Sequence, residues 1–521
     1  MSTKDQILQQ LATLQPHTRT CANTRESFEI TQEDLEMYRM FAVPLPTLCP
    51  KERAKRRLAF RNERNFYKRT CDATGKTILS LYAPGTPYVV YDKDYWWSDH
   101  WDARDFGKDY DPTRPFFEQF GELMKAVPHQ NLIGANNENS DYVNLAADCK
   151  DSYMIIESSN NENCLYGYWL QICKDSVDCS FCLECEFCYE CDNCKNCYNL
   201  HFSWDSRNCA DSSWLRGCRN VKNSIGCVGL ENKEWCIMNE ELGKEEFEKQ
   251  LPTLDRQKIQ EFVENHSMNY SRCINAENST GDFLENVKDC FACVDAYDAE
   301  HCRYGEHIWR GAKDIMDAST AGRDAQLEYE VLNCALNAYD VQFSIQGWNS
   351  RYLRYCYECN QCDNLFGCTG MKNAKYCILN KQYMPEEYEI LKEQITKDML
   401  ARGEYGEFFP PALSPFGYNE TAAHVNYPLV REEALAAGFH WNDQLSQPYS
   451  GPSLSPMAIE EYADEAKRKE LLGGVLTCAA TGKAYKIIAQ ELAFLLQKQL
   501  PIPMYCPDER HKRRMERRQR Q

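Results

Sequence analysis

The chain is poor in the features that usually betray a chemistry. Across its 521 residues no run approaches the ~18 apolar residues needed to cross a bilayer, which argues against a helical membrane span. The opening MSTKDQILQQLATLQPHTRTC has no apolar h-region, so no secretory signal is expected. Basic charge is in deficit. Lys and Arg number 59 against 78 Asp and Glu, a net −19, which excludes a general binder of nucleic acid or anionic membrane. No GxGxxG, Walker loop, GxSxG or HExxH occurs, so the common nucleotide, hydrolase and metalloprotease signatures are missing. The ten histidines form no constellation: His301 and His307 sit near Cys302, but spacing identifies no acid partner. Asp102, Asp105, Asp109 and Asp111 lack the glycine and closing glutamate of a calcium-binding EF-hand and read as a solvated loop. No catalytic residue and no cofactor is assigned.

Cysteine is what abounds, with 29 residues. An odd count without a signal points to free thiols in a reducing, cytoplasmic compartment. Three uses then compete: metal sites, redox chemistry, or cysteine as a small buried hydrophobe.

Self-comparison separates these. Residues 21–57 align without a gap onto 478–514, with Cys21/Cys478, Thr24/Thr481, Cys49/Cys506, Pro50/Pro507, Glu52/Glu509 and Arg53/Arg510 matched. Each copy reads as a hairpin, an amphipathic helix, a Pro-x-Pro turn and a basic helix opened by Cys-Pro, a start that proline suits. Each looks like a treble-clef zinc knuckle without its closing cysteines, since Thr24, Glu52, Thr481 and Glu509 stand in their places. Structural zinc takes four Cys or His ligands, so no metal is expected, and Cys21, Cys49, Cys478 and Cys506 remain only as residual candidates. A half-module at Cys71-Asp-Ala-Thr-Gly-Lys repeats the pattern, with Asp92 and Tyr95 where a second pair would fall.

A second repeat fills the middle. From Cys164 to Cys236 the cysteines follow a nine-residue frame, and seven stand three apart between Cys179 and Cys197. Alone, that run looks like a metal or iron–sulfur cluster. Residues 191–251, however, align onto 332–392, where Cys191 faces Leu332, Cys194 and Cys197 face Ala335 and Ala338, and Cys209 faces Ser350. In return Leu215 faces Cys356 and Val221 faces Cys362. A thiolate ligand does not trade with leucine; a small buried slot does. Recurring Lys/Arg-Asp/Asn pairs (Lys150-Asp151, Lys174-Asp175, Lys195-Asn196, Arg219-Asn220) suggest a coil of some 21–25 residues with three short strands. The fold class expected is mainly β with α: a duplicated right-handed parallel β-helix, or solenoid, flanked by two small α+β treble-clef-like modules that have lost their zinc ligands.

The boundaries drawn are 1–100 for the N-terminal knuckle-like modules and 101–145 for a helical and loop connector. The first solenoid repeat takes 146–240, a helical brace 241–272, and the second repeat 273–382. A helix at 383–400, an extended wrap at 401–470 and the C-terminal module at 471–521 complete the chain.

The segments PLPTLCP (44–50), RLAFRNERNFYKRTCDATGK (57–76), YWWSDHWD (95–102), CVGLENKEWCIMN (227–239), GEYGEFFP (403–410) and TCAATGKAYKIIAQEL (477–492) carry a resemblance over nearly the whole length. The chain resembles an uncharacterised cysteine-rich family abundant in bacteria of the candidate phyla radiation. Many members have a full C-x-x-C at the positions of Cys21, Cys49 and Cys71, and this chain departs from them there. The resemblance implies no activity.

Two basic runs stand out against the acidic total. Lys51–Arg69 holds nine Lys/Arg and two acids; Arg510–Arg520 holds seven and one. On a helix, Lys55, Arg56, Arg57, Arg61 and Arg64 would share one face, as would Lys512, Arg513 and Arg514, and such faces can track phosphates. The leading expectation is a non-enzymatic binding or scaffold protein contacting RNA, DNA or a ribonucleoprotein through these modules, with no membrane role and with homo-oligomers compatible with exposed solenoid flanks. The alternatives are a β-helix enzyme acting on a carbohydrate in a groove, and a metal-binding cysteine-cluster protein.

Overall fold

The computed structural model describes residues 1–267, 272–334, 336–445 and 449–519; Ala335 and Arg520, both used above, lie outside them. The chain divides into two compact units. One joins Met1–Asn131 to Ser271–Leu445, the other Leu132–Tyr270 to Ser446–Gln521. Each contains a β-solenoid and a small module with a basic helix.

In the second unit the solenoid follows one rule from residue 134 to 237. Parallel pairing links Glu138 to Lys150, Lys150 to Glu162 and Glu162 to Lys174, so one coil is twelve residues. Every third residue takes positive φ, as at Asn136, Asn139, Tyr142, Leu145 and Asp148, so each coil has four corners. The residue after each corner points inward. Those slots hold Cys149, Ile155, Cys164, Leu170, Cys173 and, in succession, Cys179, Cys182, Cys185, Cys188, Cys191, Cys194 and Cys197, all at most 2% exposed and packed as one core.

The slot chemistry explains the preference for cysteine and serine. Residues outside the slot pair their N–H groups with the coils above and below, as Lys150 does with Asn161 and Asp151 with Glu138. Many inward residues instead donate to a side chain one coil back. The Cys164 N–H donates to Ser152 Oγ at 3.1 Å, Cys188 to Ser176 Oγ at 3.2 Å, and Val221 to Cys209 Sγ at 3.4 Å. The thiol in turn donates to carbonyls: Cys191 Sγ reaches Tyr189 O at 3.5 Å and Leu200 O at 3.4 Å. A cysteine or serine in a slot therefore fills space and satisfies buried peptide groups at once. Burial pushes Cys218 up to about 11 and Cys227 to about 12, which leaves them protonated and poorly nucleophilic.

Corners need residues tolerant of left-handed backbone, and Asn and Asp supply them. They also bond up the stack: Asn139 Nδ2 donates to Asp151 at 2.6 Å, Asn199 to Asp211 at 2.9 Å and Asn220 to Asn232 at 2.7 Å. The open end is closed by an antiparallel pair, Cys236–Ile237 with Glu240–Glu241. There the Asn239 side chain stands in for a further strand, accepting from Val228 N–H at 2.7 Å and donating to Val228 O at 3.0 Å.

The first unit's solenoid repeats the rule with looser coil length. Partners are eleven apart at Cys273–Leu284, twelve at Gly281–Cys293, thirteen at Lys313–Gln326 and Gln326–Tyr339, then twelve again from Tyr339–Arg351. Extra residues enter at corners; Leu336 and Asn337 take positive φ in succession. The same closing pair recurs at Lys375–Ile378 with Lys381–Gln382, and Asn380 bonds both ways to Thr369, at 2.9 and 2.8 Å.

Several expectations change. The coil has twelve residues and four sides, where 21–25 residues and three strands were anticipated; the Lys-Asp pairs at 150 and 174 mark every second coil. The nine-residue cysteine frame is three sides of a four-sided coil. The ungapped register holds from Cys197/Ala338 onward but slips upstream: Cys191 points inward, whereas the inward residue in the other solenoid is Val331, not Leu332, because its coil is one residue longer.

Helices run over Lys244–Gln250, Arg256–Asn265 and Pro385–Arg402. In the second unit the Arg256 helix braces the solenoid by burying Val263 against Trp204 and Val228. Part of the anticipated wrap is helical, at Glu465–Gly473. Among the described residues, no helix is long and apolar enough to cross a membrane.

Candidate functional site

Each terminal module is a short hairpin followed by two helices. At the N-terminus an antiparallel hairpin, His17–Thr20 with Ser27–Ile30, leads to helices Gln32–Phe41 and Pro50–Leu58. At the C-terminus Leu476–Thr477 pairs with Ala484–Tyr485, followed by helices Ala489–Lys498 and Pro507–Gln519.

The basic residues of the N-terminal module are largely buried, and those of the C-terminal module only in part. Helical spacing does place Arg53, Arg56 and Arg57 together, but toward the first unit's solenoid. Arg53 Nε donates to Asp317 Oδ2 at 2.8 Å, and Arg57 Nη1 to Glu330 Oε2 at 2.9 Å. Arg56 bridges Glu330 at 2.9 Å and Glu407 at 2.8 Å. Arg61 is buried against Glu63, Lys55 lies 2.5 Å from Glu52, and Arg64 is half-buried. In the second unit Arg510 and Arg514 do the same. Both bond Asp178, Arg514 at 3.0 Å, and Arg510 also reaches Glu491 at 3.0 Å. Of the candidates on the Pro507 helix, Lys512 and Arg513 stay on the surface, with side chains 63% and 45% exposed beside Glu516 and Glu509. Nearby carboxylates hold the buried Arg53 and Arg510 charged, against the opposing cost of desolvation.

The acids that receive these arginines form a pattern that sequence reasoning missed. Tyr166, Asp178, Glu190 and Phe202 occupy one corner column at twelve-residue steps. Tyr304, Asp317, Glu330 and Phe343 occupy the equivalent column at thirteen. In both, the first arginine of the helix lies over the tyrosine ring, 5.7 Å for Arg53 over Tyr304 and 4.7 Å for Arg510 over Tyr166. The signal was present as Tyr-Asp-Glu-Phe at coil spacing. It becomes visible only when the coil length is known and one residue per coil is allowed to slip.

Coil length also hid the histidine partners. His301 Nδ1 lies 2.6 Å from Asp314 and His307 Nε2 3.5 Å from Asp295, each one coil away, while Cys302 points into the core. The Asp314 hydrogen bond pushes His301 above its ordinary value. The acidic loop disperses: Asp102 pairs with Arg104, Asp109 with Lys381, and Asp111 caps Thr113.

The residual cysteines do come together, in pairs. The Cys49 N–H donates to Cys21 Sγ at 3.4 Å. Cys478 and Cys506 hold the matching positions, and the Ala479 N–H on Met504 O at 3.0 Å draws their two turns together. Burial raises Cys21 and Cys478, but peptide N–H groups and the Thr24 and Thr481 hydroxyls outweigh it and bring each to about 7. In the half-module, Asp92 N–H donates to Cys71 Sγ at 3.2 Å, so Asp92 holds the place of the second cysteine. Among the described residues, no three His, Cys, Asp or Glu side chains converge as a metal site.

No protein-family model matches the chain, and no curated protein matches it.

Proposed function

We propose that the chain is a non-enzymatic binding scaffold. Two solenoids, related by duplication, are each fastened to a module descended from a treble-clef fold, and their uncovered sides present charge and amide ladders to a partner. The reading rests on one observation: Arg53, Arg56 and Arg57 in one unit, and Arg510 and Arg514 in the other, are taken up by the same Tyr-Asp-Glu-Phe column. They serve construction. What remains outside on the second solenoid is regular, for instance Glu138, Lys150, Glu162 and Lys174 paired in sequence along one side and exposed. Opposite charges facing across strands stabilise that side and present alternating charge to a partner.

The test uses the full chain with Lys150→Glu/Lys174→Glu on that ladder and Lys512→Glu/Arg513→Glu on the Pro507 helix. The scaffold reading expects the helix variant to keep the wild-type melting temperature, the ladder variant to stay folded but melt lower because like charges now face across its strands, and the ladder variant alone to lose partners that co-purify with wild type. RNA or DNA binding that falls steeply with salt and is lost in the helix variant would move the contact to the terminal module. Turnover of an oligosaccharide panel would overturn the non-enzymatic reading.

A further inference from the structure

The thiol pairs of the terminal modules take no part in the scaffold role. Each first cysteine lies in a tight turn: Cys21 N–H bonds Glu26 O at 2.8 Å and Arg25 N–H returns to Cys21 O at 3.0 Å, while Ala22 N–H fixes the turn to Thr47 O at 3.0 Å. Each second cysteine immediately precedes a proline-started helix of nine or thirteen residues. The first sulfur therefore receives peptide N–H groups, and the second lies at the positive end of a helix. The first arrangement favours a thiolate; at the second, burial and the facing thiol raise Cys49 and Cys506, a cost that a bound cation offsets. The C-terminal copy repeats the turn through Cys478–Lys483 at 2.9 Å, Gly482–Cys478 at 2.9 Å and Ala479–Met504 at 3.0 Å.

The ligand count then selects the cation. Glu52 and Glu509, which replace further ligands, are held by Lys55 and Arg513. Two sulfurs are too few for the tetrahedral set that zinc requires. Two soft thiolates suit a soft monovalent d10 cation. We propose that Cys21 with Cys49, and Cys478 with Cys506, each form a two-thiolate site for Cu(I). Binding releases one proton from each thiol and leaves a bis-thiolate copper carrying a single negative charge, offset by the N–H donors around Cys21 and Cys478. The half-module supplies an internal control. Its turn is the same, with Cys71 N–H on Lys76 O at 2.8 Å and Gly75 N–H on Cys71 O at 2.9 Å, but Asp92 occupies the second position, so it has one sulfur and no site.

The test titrates reduced full-length protein with Cu(I) anaerobically against a Cu(I)-specific chelator, with X-ray absorption to count sulfur neighbours. The expected result is two Cu(I) retained per chain, each with two sulfur neighbours. Cys49→Ser and Cys506→Ser should each lose one, and Cys71→Ser none. Asp92→Cys should gain a third, and this gain does not depend on the serine variants folding. Retention of copper in the double Cys49→Ser/Cys506→Ser variant at the wild-type count would place the metal elsewhere and overturn the proposal. So would a chain that holds no copper and instead loses two hydrogens per pair on mild oxidation by hydrogen peroxide, which would make the pairs dithiol–disulfide couples.

Discussion

Glu328 follows a corner residue, Leu327, and so points into the first unit's solenoid among slots otherwise held by Ala325, Val331 and Cys334. Its side chain is wholly buried and neither carboxylate oxygen has a hydrogen-bond partner. Burial alone pushes it well above its ordinary 4.5. A carboxyl raised in the folded state costs nothing while both states are protonated. The cost appears once pH rises above about 4.5 and grows until the folded form also ionises. Glu328→Gln removes the ionisation. Relative to wild type, the variant should gain stability progressively as pH rises from the acid range to neutrality, measured by denaturant unfolding across pH; a constant difference would refute the account. Ile172 is a second misfit. It is 51% exposed at a corner with φ 56°, in a column that also holds Asn136, Asp148, Asn160 and Asn196. A β-branched residue is strained there, so Ile172→Asn should stabilise by ~1 kcal/mol, read as a raised melting temperature. Neither residue was legible as special in the sequence, because inward and corner positions are defined only by the three-residue phase.

At the scale of elements, the joint between helix and solenoid is an array of buried ions. Removing one partner of a buried pair strands the other and costs ~3–5 kcal/mol. Asp178 receives both Arg510 and Arg514, so Asp178→Ala should destabilise the second unit by at least that range. Replacing Asp178, Arg510 and Arg514 together with apolar residues should recover most of the loss, and chemical denaturation of the variants checks both. The elements themselves could be read in advance: the hairpins, the proline-started basic helices, and the slots that exchange Cys with Leu, Val, Ala and Ser. Their joints could not. Arg53 and Asp317 lie 264 residues apart, and no periodicity connects a helix to one corner of a coil. The basic runs looked like a surface because a row of arginines has the same pattern whether it faces water or carboxylates. The thiol pairs were legible as spacing, but their contact and their peptide donors belong to three dimensions.

At the scale of the whole molecule, the three-residue phase and the twelve-residue coil make length changes act as rotations. Deleting residues 207–218 would remove one full turn and return every column to its line. Deleting residues 207–209 would keep each inward residue inward, yet carry everything after it round by one side. Val228 would then leave the side it shares with Trp204, and with it the contact to Val263. Hydrogen exchange over the Arg256–Asn265 helix should be partly protected in the first variant, which keeps Trp204 beside Val228 but loses the Arg216 donor to Val263 O, and faster in the second, although both keep a filled core. The chain thus works like a dial with four stops: an insertion or deletion in steps of three leaves the mechanism turning smoothly and changes which number faces the outside.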